Sequence, residues 1–164
     1  YIFLINVFEH LNNWRDFLSF IENNLTSNGK CLILCPNYGF PYESHFNIPI
    51  IINKKITYQI FKNKIIAQEK NRNAEGLWKS LNFVTYSKLV KECKKNGKLR
   101  LNPDNKIFEK MIARVSYDSE FKGRRKLLSN VAFILNKLGL LKFFQLKFMR
   151  FIDPYMKIHF SRIR

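Results

Sequence analysis

Two short apolar runs, Ile2-Phe3-Leu4-Ile5 and Cys31-Leu32-Ile33-Leu34-Cys35, bracket a stretch whose apolar residues recur with helical spacing. Trp14, Phe17, Leu18, Ile21 and Leu25 fall on one stripe, Asp16 sits in the first turn where the helix dipole favours a negative charge, and Asn12 or Asn13 can cap the start. Thr26-Ser27-Asn28-Gly29 stops the helix, and Pro36 ends the second apolar run. A strand buried on both faces reads as a continuous apolar run, and two such strands joined by one covering helix make a parallel crossover. The pattern predicts an α/β fold.

The 164 residues, 46% of them apolar, suffice for one core. The sequence holds no run of about eighteen uncharged apolar residues, and its first residues lack the order of a secretory signal. Three cysteines, Cys31, Cys35 and Cys93, are an odd number, and two of them lie inside an apolar run where they act as small hydrophobes. Four-residue spacing along one strand makes a poor metal cage, so no metal site is expected there. These features point to a reducing, cytoplasmic setting. The chain begins in a strand, without Met, as expected of the carboxy-terminal part of a longer protein.

Net charge is +17 and unevenly placed: residues 1–60 carry four basic and four acidic groups, residues 61–164 twenty-five and eight. An excess of this kind attracts an anionic partner such as nucleic acid, a phosphorylated substrate or an acidic membrane surface. The alternative is compositional, since Lys, Asn, Ile and Phe share A/T-rich codons and a lysine-rich face can simply be solvated.

Beyond Pro36, residues 36–60 read as loop, leaving the carboxyl end of the second strand, which is where open α/β sheets bind ligands. Thr85 caps a further helix carrying Tyr86, Leu89, Val90 and Cys93, closed by Asn96-Gly97, and Lys98–Leu101 follows as a possible strand. From Arg124 the chain turns helical and basic, with breaks at Gly139 and Pro154. Two regions are therefore expected: a domain over 1–120 and a basic amphipathic helical extension over 121–164.

An apolar strand ending in Val7-Phe8-Glu9-His10-Leu11, a helix, Leu25 with Gly29-Lys30, the strand Cys31–Cys35 and then Pro36-Asn37 together resemble the class I S-adenosylmethionine-dependent methyltransferases. The resemblance is firm over about residues 1–37 and weaker over 85–101. It implies a Rossmann-like, seven-stranded sheet of which these would be the fourth strand, the following helix and the fifth strand. The glycine-rich loop and the ribose-binding carboxylate of that family would then lie upstream of Tyr1. It also implies S-adenosyl-L-methionine as cofactor, bordered by Asn6, Val7, Glu9 and His10. Glu9-His10 also reads as a plain helix-start pair bonded to backbone.

The loop Pro36–Phe46 clusters Tyr38, Tyr42, Glu43 and His45 where an acceptor would approach. Methyl transfer needs alignment, and a base when the acceptor is a hydroxyl or amine. His45 is the candidate base, oriented by Glu43, with Tyr38 and Tyr42 as substrate contacts. Alternatively these rings fold the loop onto the core. Trp78 and Asn82 are further candidates for an acceptor pocket, although a Trp among Leu and Phe is often simply buried.

Leu140, Leu141, Phe144, Phe148, Phe151 and Ile152 form one stripe, with Lys142, Lys147 and Arg150 around it, a pattern that suits either an anionic membrane surface or packing on protein. The leading expectation is a cytoplasmic methyltransferase, peripheral at the membrane in one version, acting on a small-molecule, sugar or lipid-linked acceptor. The rivals are a basic nucleic-acid-binding module, disfavoured because the aromatics fall on helical stripes, and a non-catalytic membrane or scaffold protein.

Overall fold

The computed structural model describes residues 1–104, 106–107, 109–110, 134, 137–139, 150–151 and 153–163. Strand β1 (Ile2–Ile5) leads through a 3-10 turn (Phe8–His10) to helix α1 (Trp14–Asn24) and strand β2 (Lys30–Pro36). β1 and β2 pair in parallel, Ile2 opposite Cys31 through Ile5 opposite Leu34, so the expected crossover is present. Asn13 occupies the N-cap of α1 without a side-chain hydrogen bond. Asn6 turns the chain out of β1 with a φ of 53°, a left-handed conformation that Asn tolerates, while its N–H continues the ladder to the Leu34 carbonyl at 2.8 Å.

A small hairpin, β3 (Tyr42–Glu43) and β4 (Ile48–Pro49), follows β2 and precedes the long helix α2 (Lys54–Asn71) and the single turn α3 (Leu77–Ser80). Helix α4 (Tyr86–Asn96) starts where the Thr85 hydroxyl accepts from the Lys88 N–H and stops at Gly97, whose φ of 74° suits glycine. It feeds strand β5 (Leu99–Pro103). Thr85, Gly97 and the strand after them stand where the sequence puts them.

The helical extension expected over 121–164 needs correction at its end. Tyr155–Arg162 is a strand, β6, pairing antiparallel with β2 on one side and β5 on the other. The reason is its period of two: Met156, Ile158 and Phe160 are buried, while Tyr155, Lys157, His159 and Ser161 alternate with them. Tyr155–Arg162 therefore lies inside the sheet, between β2 and β5. The stripe over Leu140–Ile152 and the basic run at 122–126 lie outside the described residues except for Arg150 and Phe151.

Among the described residues the sheet has four strands in the order β1-β2-β6-β5. Since β6 opposes both neighbours, β1, β2 and β5 run in one direction and β6 alone runs against them. The fold is thus α/β with a mixed four-stranded sheet among the described residues. Helices α1 and α4 cover one face. There Leu18, Ile21, Leu89, Ile33, Ile158 and Phe160, all 1% exposed or less, form the main core with Cys31, Cys35 and Cys93. Full burial of each large apolar side chain contributes about 1.5–3 kcal/mol. The cysteines are indeed core residues, and burial pushes the thiols of Cys31 and Cys93 up to about 11, far from thiolate chemistry at neutral pH. No described helix is long and apolar enough to cross a membrane.

Asn37 locks the end of β2 to the segment before β6 and to the start of α4. Its amide donates to the carbonyls of Arg150 (3.1 Å) and Asp153 (2.9 Å), and its Oδ1 accepts from the N–H groups of Gly39 (3.0 Å) and Tyr86 (3.1 Å). The Asp153 carboxyl lies buried beside this junction, Oδ1 has no partner among the described residues, and burial pushes its pKa up to about 6 against the pull of Arg150. A folded-state value above the unfolded one means that stability falls as pH rises through this window and stays low above it. Asp153→Asn should therefore raise the urea midpoint at about pH 8 and leave it nearly unchanged at about pH 4. An equal shift at both values would contradict this electrostatic account.

Candidate functional site

Glu43 closes the turn between β3 and β4 with its side chain. The carboxylate is wholly buried and accepts from the backbone N–H groups of His45 (Oε1, 3.2 Å) and Phe46 (Oε2, 2.8 Å), which offset the cost of burying its charge. Oε1 also receives the His45 Nδ1–H at 2.6 Å and, more loosely, the Tyr38 hydroxyl at 3.5 Å. The hydrogen bond to Glu43 raises the pKa of His45 despite burial. Burial and the neighbouring carboxylate of Glu43 raise that of Tyr38, so its phenol stays protonated.

The turn itself is pinned from outside. Lys64 and Gln68 on α2 and Arg72 at its C-cap, spaced four residues apart, donate to the carbonyls of Asn47 (2.9 Å), Phe46 (3.1 Å) and His45 (2.6 Å) respectively. Phe46 drives into a second core with Ile48, Ile65, Trp78 and Leu81. Position 45 is therefore fixed by its backbone and not only by its ring.

The second half of the site follows β1. Phe8, fully buried against Trp14 and Phe17, anchors the 3-10 turn, and Asn82 straps it down. The Asn82 amide donates to the carbonyls of Phe8 (2.7 Å) and Leu11 (3.1 Å), while its own N–H donates to the Glu9 carbonyl (2.8 Å). The turn presents Glu9 and His10 to His45. The two imidazole rings meet edge to face with centroids 5.6 Å apart, and one ligand atom from each of Glu9, His10 and His45 lies within 4.8 Å of the others.

Charge is badly balanced here. Glu9 is 1% exposed, and neither carboxylate oxygen has a hydrogen-bond partner among the described residues. Burial raises its pKa, its own backbone N–H and His45 oppose the shift, and Glu43 adds to it. His10 is lowered by burial and by the potential of His45. An orphaned buried carboxylate beside two imidazoles is costly for structure alone and is typical of functional sites.

The structure thus brings Glu43, His45, Glu9, His10 and Tyr38 together. Asn6 and Val7 are exposed at the end of β1, and Tyr42 is 37% exposed, its hydroxyl on Asn47 Oδ1 at 3.0 Å. Trp78 is buried against Phe46 and Phe83 and borders a separate open groove of about 480 Å³ lined by Lys54, Lys55, Tyr58, Glu69 and Lys79. None of Glu9, His10, Glu43 or His45 lines that groove, so its size does not make it the site of the chemistry. Asn82 uses both polar atoms of its side chain on backbone groups.

Sequence reasoning missed several participants. Ser80 accepts or donates at His10 Nδ1 (2.8 Å), and Phe83 stacks on Tyr38 with centroids 4.3 Å apart. Phe83 has a φ of 53°, a strained value for an aromatic residue, held by the Asn82 and Val84 contacts around it. Nothing local in the sequence flags Ser80 or Phe83. Lys64, Gln68 and Arg72 were missed as well, because residues 36–60 read as loop, whereas that span holds the β3–β4 hairpin and the start of α2 at Lys54.

Two uncharacterized proteins of Mycobacterium tuberculosis, from strains CDC 1551 and H37Rv, are each 33% identical to the chain over 125 residues, covering 76% of this chain and 43% of each relative. The chain spans less than half the length of these curated relatives. No family model matches the chain, and no solved structure does.

Proposed function

We propose that the chain forms part of an S-adenosylmethionine-dependent methyltransferase whose acceptor hydroxyl is activated at the Glu9, His10, Glu43 and His45 cluster. The observation that carries this reading is the Glu43–His45 pair on the loop after β2, set against the Glu9-His10 turn after β1. Both lie beyond the carboxyl ends of adjacent parallel strands, where open α/β sheets hold ligands.

The sheet supports the larger architecture implied by the resemblance. Mixed sheets with one antiparallel strand are common among doubly wound folds, and here that strand, β6, lies between β2 and β5. Phe3 (63% exposed) and Ile5 (57%) stand on the face opposite α1 and α4, and β1 pairs on one side only among the described residues. A sheet continuing beyond β1, under a further covering layer, would remove both exposures.

The residues present fit the edge of such a cofactor: exposed Asn6 and Val7 offer a polar and an apolar contact where β1 ends. When bound, S-adenosylmethionine supplies a sulfonium methyl group; transfer forms the oxygen–methyl bond, breaks the sulfur–methyl bond and releases the hydroxyl proton. This chain's part is alignment and activation. Glu43 holds the His45 Nδ1–H, which leaves the Nε2 lone pair to activate the acceptor, and the fixed turn keeps that nitrogen in place. Small molecules, sugars and lipid-linked sugars all offer such hydroxyls, and a cytoplasmic enzyme touching anionic lipid through its basic second half suits the last of these.

The test is to incubate the full-length protein with methyl-labelled S-adenosylmethionine and hydroxyl-bearing acceptors of these classes. Label in an acceptor, lost in His45→Ala, is the expected result. Cofactor turnover that leaves every hydroxyl acceptor unlabelled would contradict it.

A further inference from the structure

Glu9, His10 and His45 form, we infer, a binding site for one divalent first-row transition-metal ion. This deepens the reading above, because it specifies how the His45 lone pair is used: it holds an ion that polarises the acceptor oxygen.

The hydrogen bonds fix both imidazoles in the state a metal needs. The Ser80 hydroxyl donates its proton to the Leu77 carbonyl at 2.8 Å, so at His10 it accepts from Nδ1–H. The Glu43 carboxylate accepts from the Nδ1–H of His45. In the tautomer that these acceptors favour, each neutral ring carries its proton on Nδ1 and leaves Nε2 bare, with Nδ1 held by an oxygen, the arrangement that orients metal-ligating histidines.

The third ligand is Glu9, 1% exposed with both oxygens unpartnered among the described residues. A dication meets that unpaired charge, and both imidazoles need only remain neutral. Ligand atoms at about 2.0–2.2 Å from an ion sit about 3–3.5 Å apart. The observed spread, within 4.8 Å, must close by about 1.3–1.8 Å to reach this, and no side chain among the described residues holds the Glu9 carboxylate back by a hydrogen bond.

Two imidazoles and one carboxylate select a transition ion such as Mn²⁺, Fe²⁺, Co²⁺ or Zn²⁺ over Mg²⁺ or Ca²⁺, which prefer all-oxygen sets. Three protein ligands leave positions open, as catalytic rather than structural sites do. An acceptor hydroxyl entering one of them loses its proton more readily, as metal-bound water does.

The experiment titrates the metal-free full-length protein with Co²⁺ and follows its visible absorption, with Zn²⁺ as competitor and Mg²⁺ as control. One equivalent of Co²⁺, displaced by Zn²⁺ and not by Mg²⁺, is expected, with affinity at least about 100-fold weaker in Glu9→Gln and His10→Ala and about 10–100-fold weaker in Glu43→Gln and Ser80→Ala. Wild-type affinity in His10→Ala, no saturable visible band, or a sulfur-to-cobalt band would overturn the site. If circular dichroism shows that His10→Ala does not fold, Ser80→Ala decides, with unchanged affinity counting against the site. Because no methyl donor is present, absence of binding leaves methyl transfer standing with His45 acting directly, and absence of methyl transfer leaves a measured metal site standing.

Discussion

Replacing His45 by Ala in the full-length protein is expected to lower methyl-transfer turnover by about 100-fold or more, the usual range for losing a positioned proton-transfer or activating group. S-adenosylmethionine affinity should stay close to that of the unaltered protein. The separation follows from how the loop is built. His45 contributes its ring to the cluster, but the loop is held by the Glu43 carboxylate on the backbone N–H groups of His45 and Phe46, and by Lys64, Gln68 and Arg72 on the carbonyls of Asn47, Phe46 and His45. Truncating the ring removes chemistry and leaves the scaffold. Glu43→Gln, which weakens orientation of His45 and also the turn, should lower turnover less and unfold at lower urea. The initial rate of label transfer at saturating donor, paired with donor affinity by calorimetry, checks both. Turnover unchanged in His45→Ala would remove His45 from the mechanism.

Asn37→Ala is expected to cost about 3 kcal/mol of stability, since it leaves the half-buried N–H of Gly39, the buried N–H of Tyr86 and the carbonyl of Asp153 without their partner. Set against a typical total of about 5–15 kcal/mol, one side chain then carries a large share of the fold. The loss should appear as a lower urea midpoint with little change in slope. Gly39→Ala strikes the same junction from the other side, because a Cβ there would stand 2.3 Å from the Phe151 carbonyl oxygen, a backbone atom that cannot swing aside. It should be at least as destabilising as Asn37→Ala. A loss under about 1 kcal/mol in both variants would mean that the segment before β6 is not held by this junction.

β1, α1, β2 and α4 were legible because their signals are local: apolar runs for β1 and β2, helical spacing for α1, and a Thr cap and Gly stop around α4. β6 was not, although Tyr155–Arg162 alternates cleanly once seen. It follows a basic, aromatic-rich stretch of helical spacing, and its partner β2 lies about 120 residues earlier, so no local pattern announces the pairing. The site shows the same split. Glu9-His10 and Glu43/His45 stood out singly as charged residues at strand ends. Their meeting depends on parallel pairing of β1 with β2 and on the β3–β4 hairpin folding back, which spacing along the chain does not encode. Asn82, Asn37 and Ser80 act through backbone groups or a ring remote in sequence, and their residue types carry no mark of it.

Calorimetric titration of the full-length protein with S-adenosylmethionine, with S-adenosylhomocysteine as competitor, tests the central claim most directly. Saturable one-to-one binding, displaced by the product and weakened by substitution of Asn6, is the predicted result. A correctly folded full-length protein that binds neither compound would contradict the methyltransferase reading.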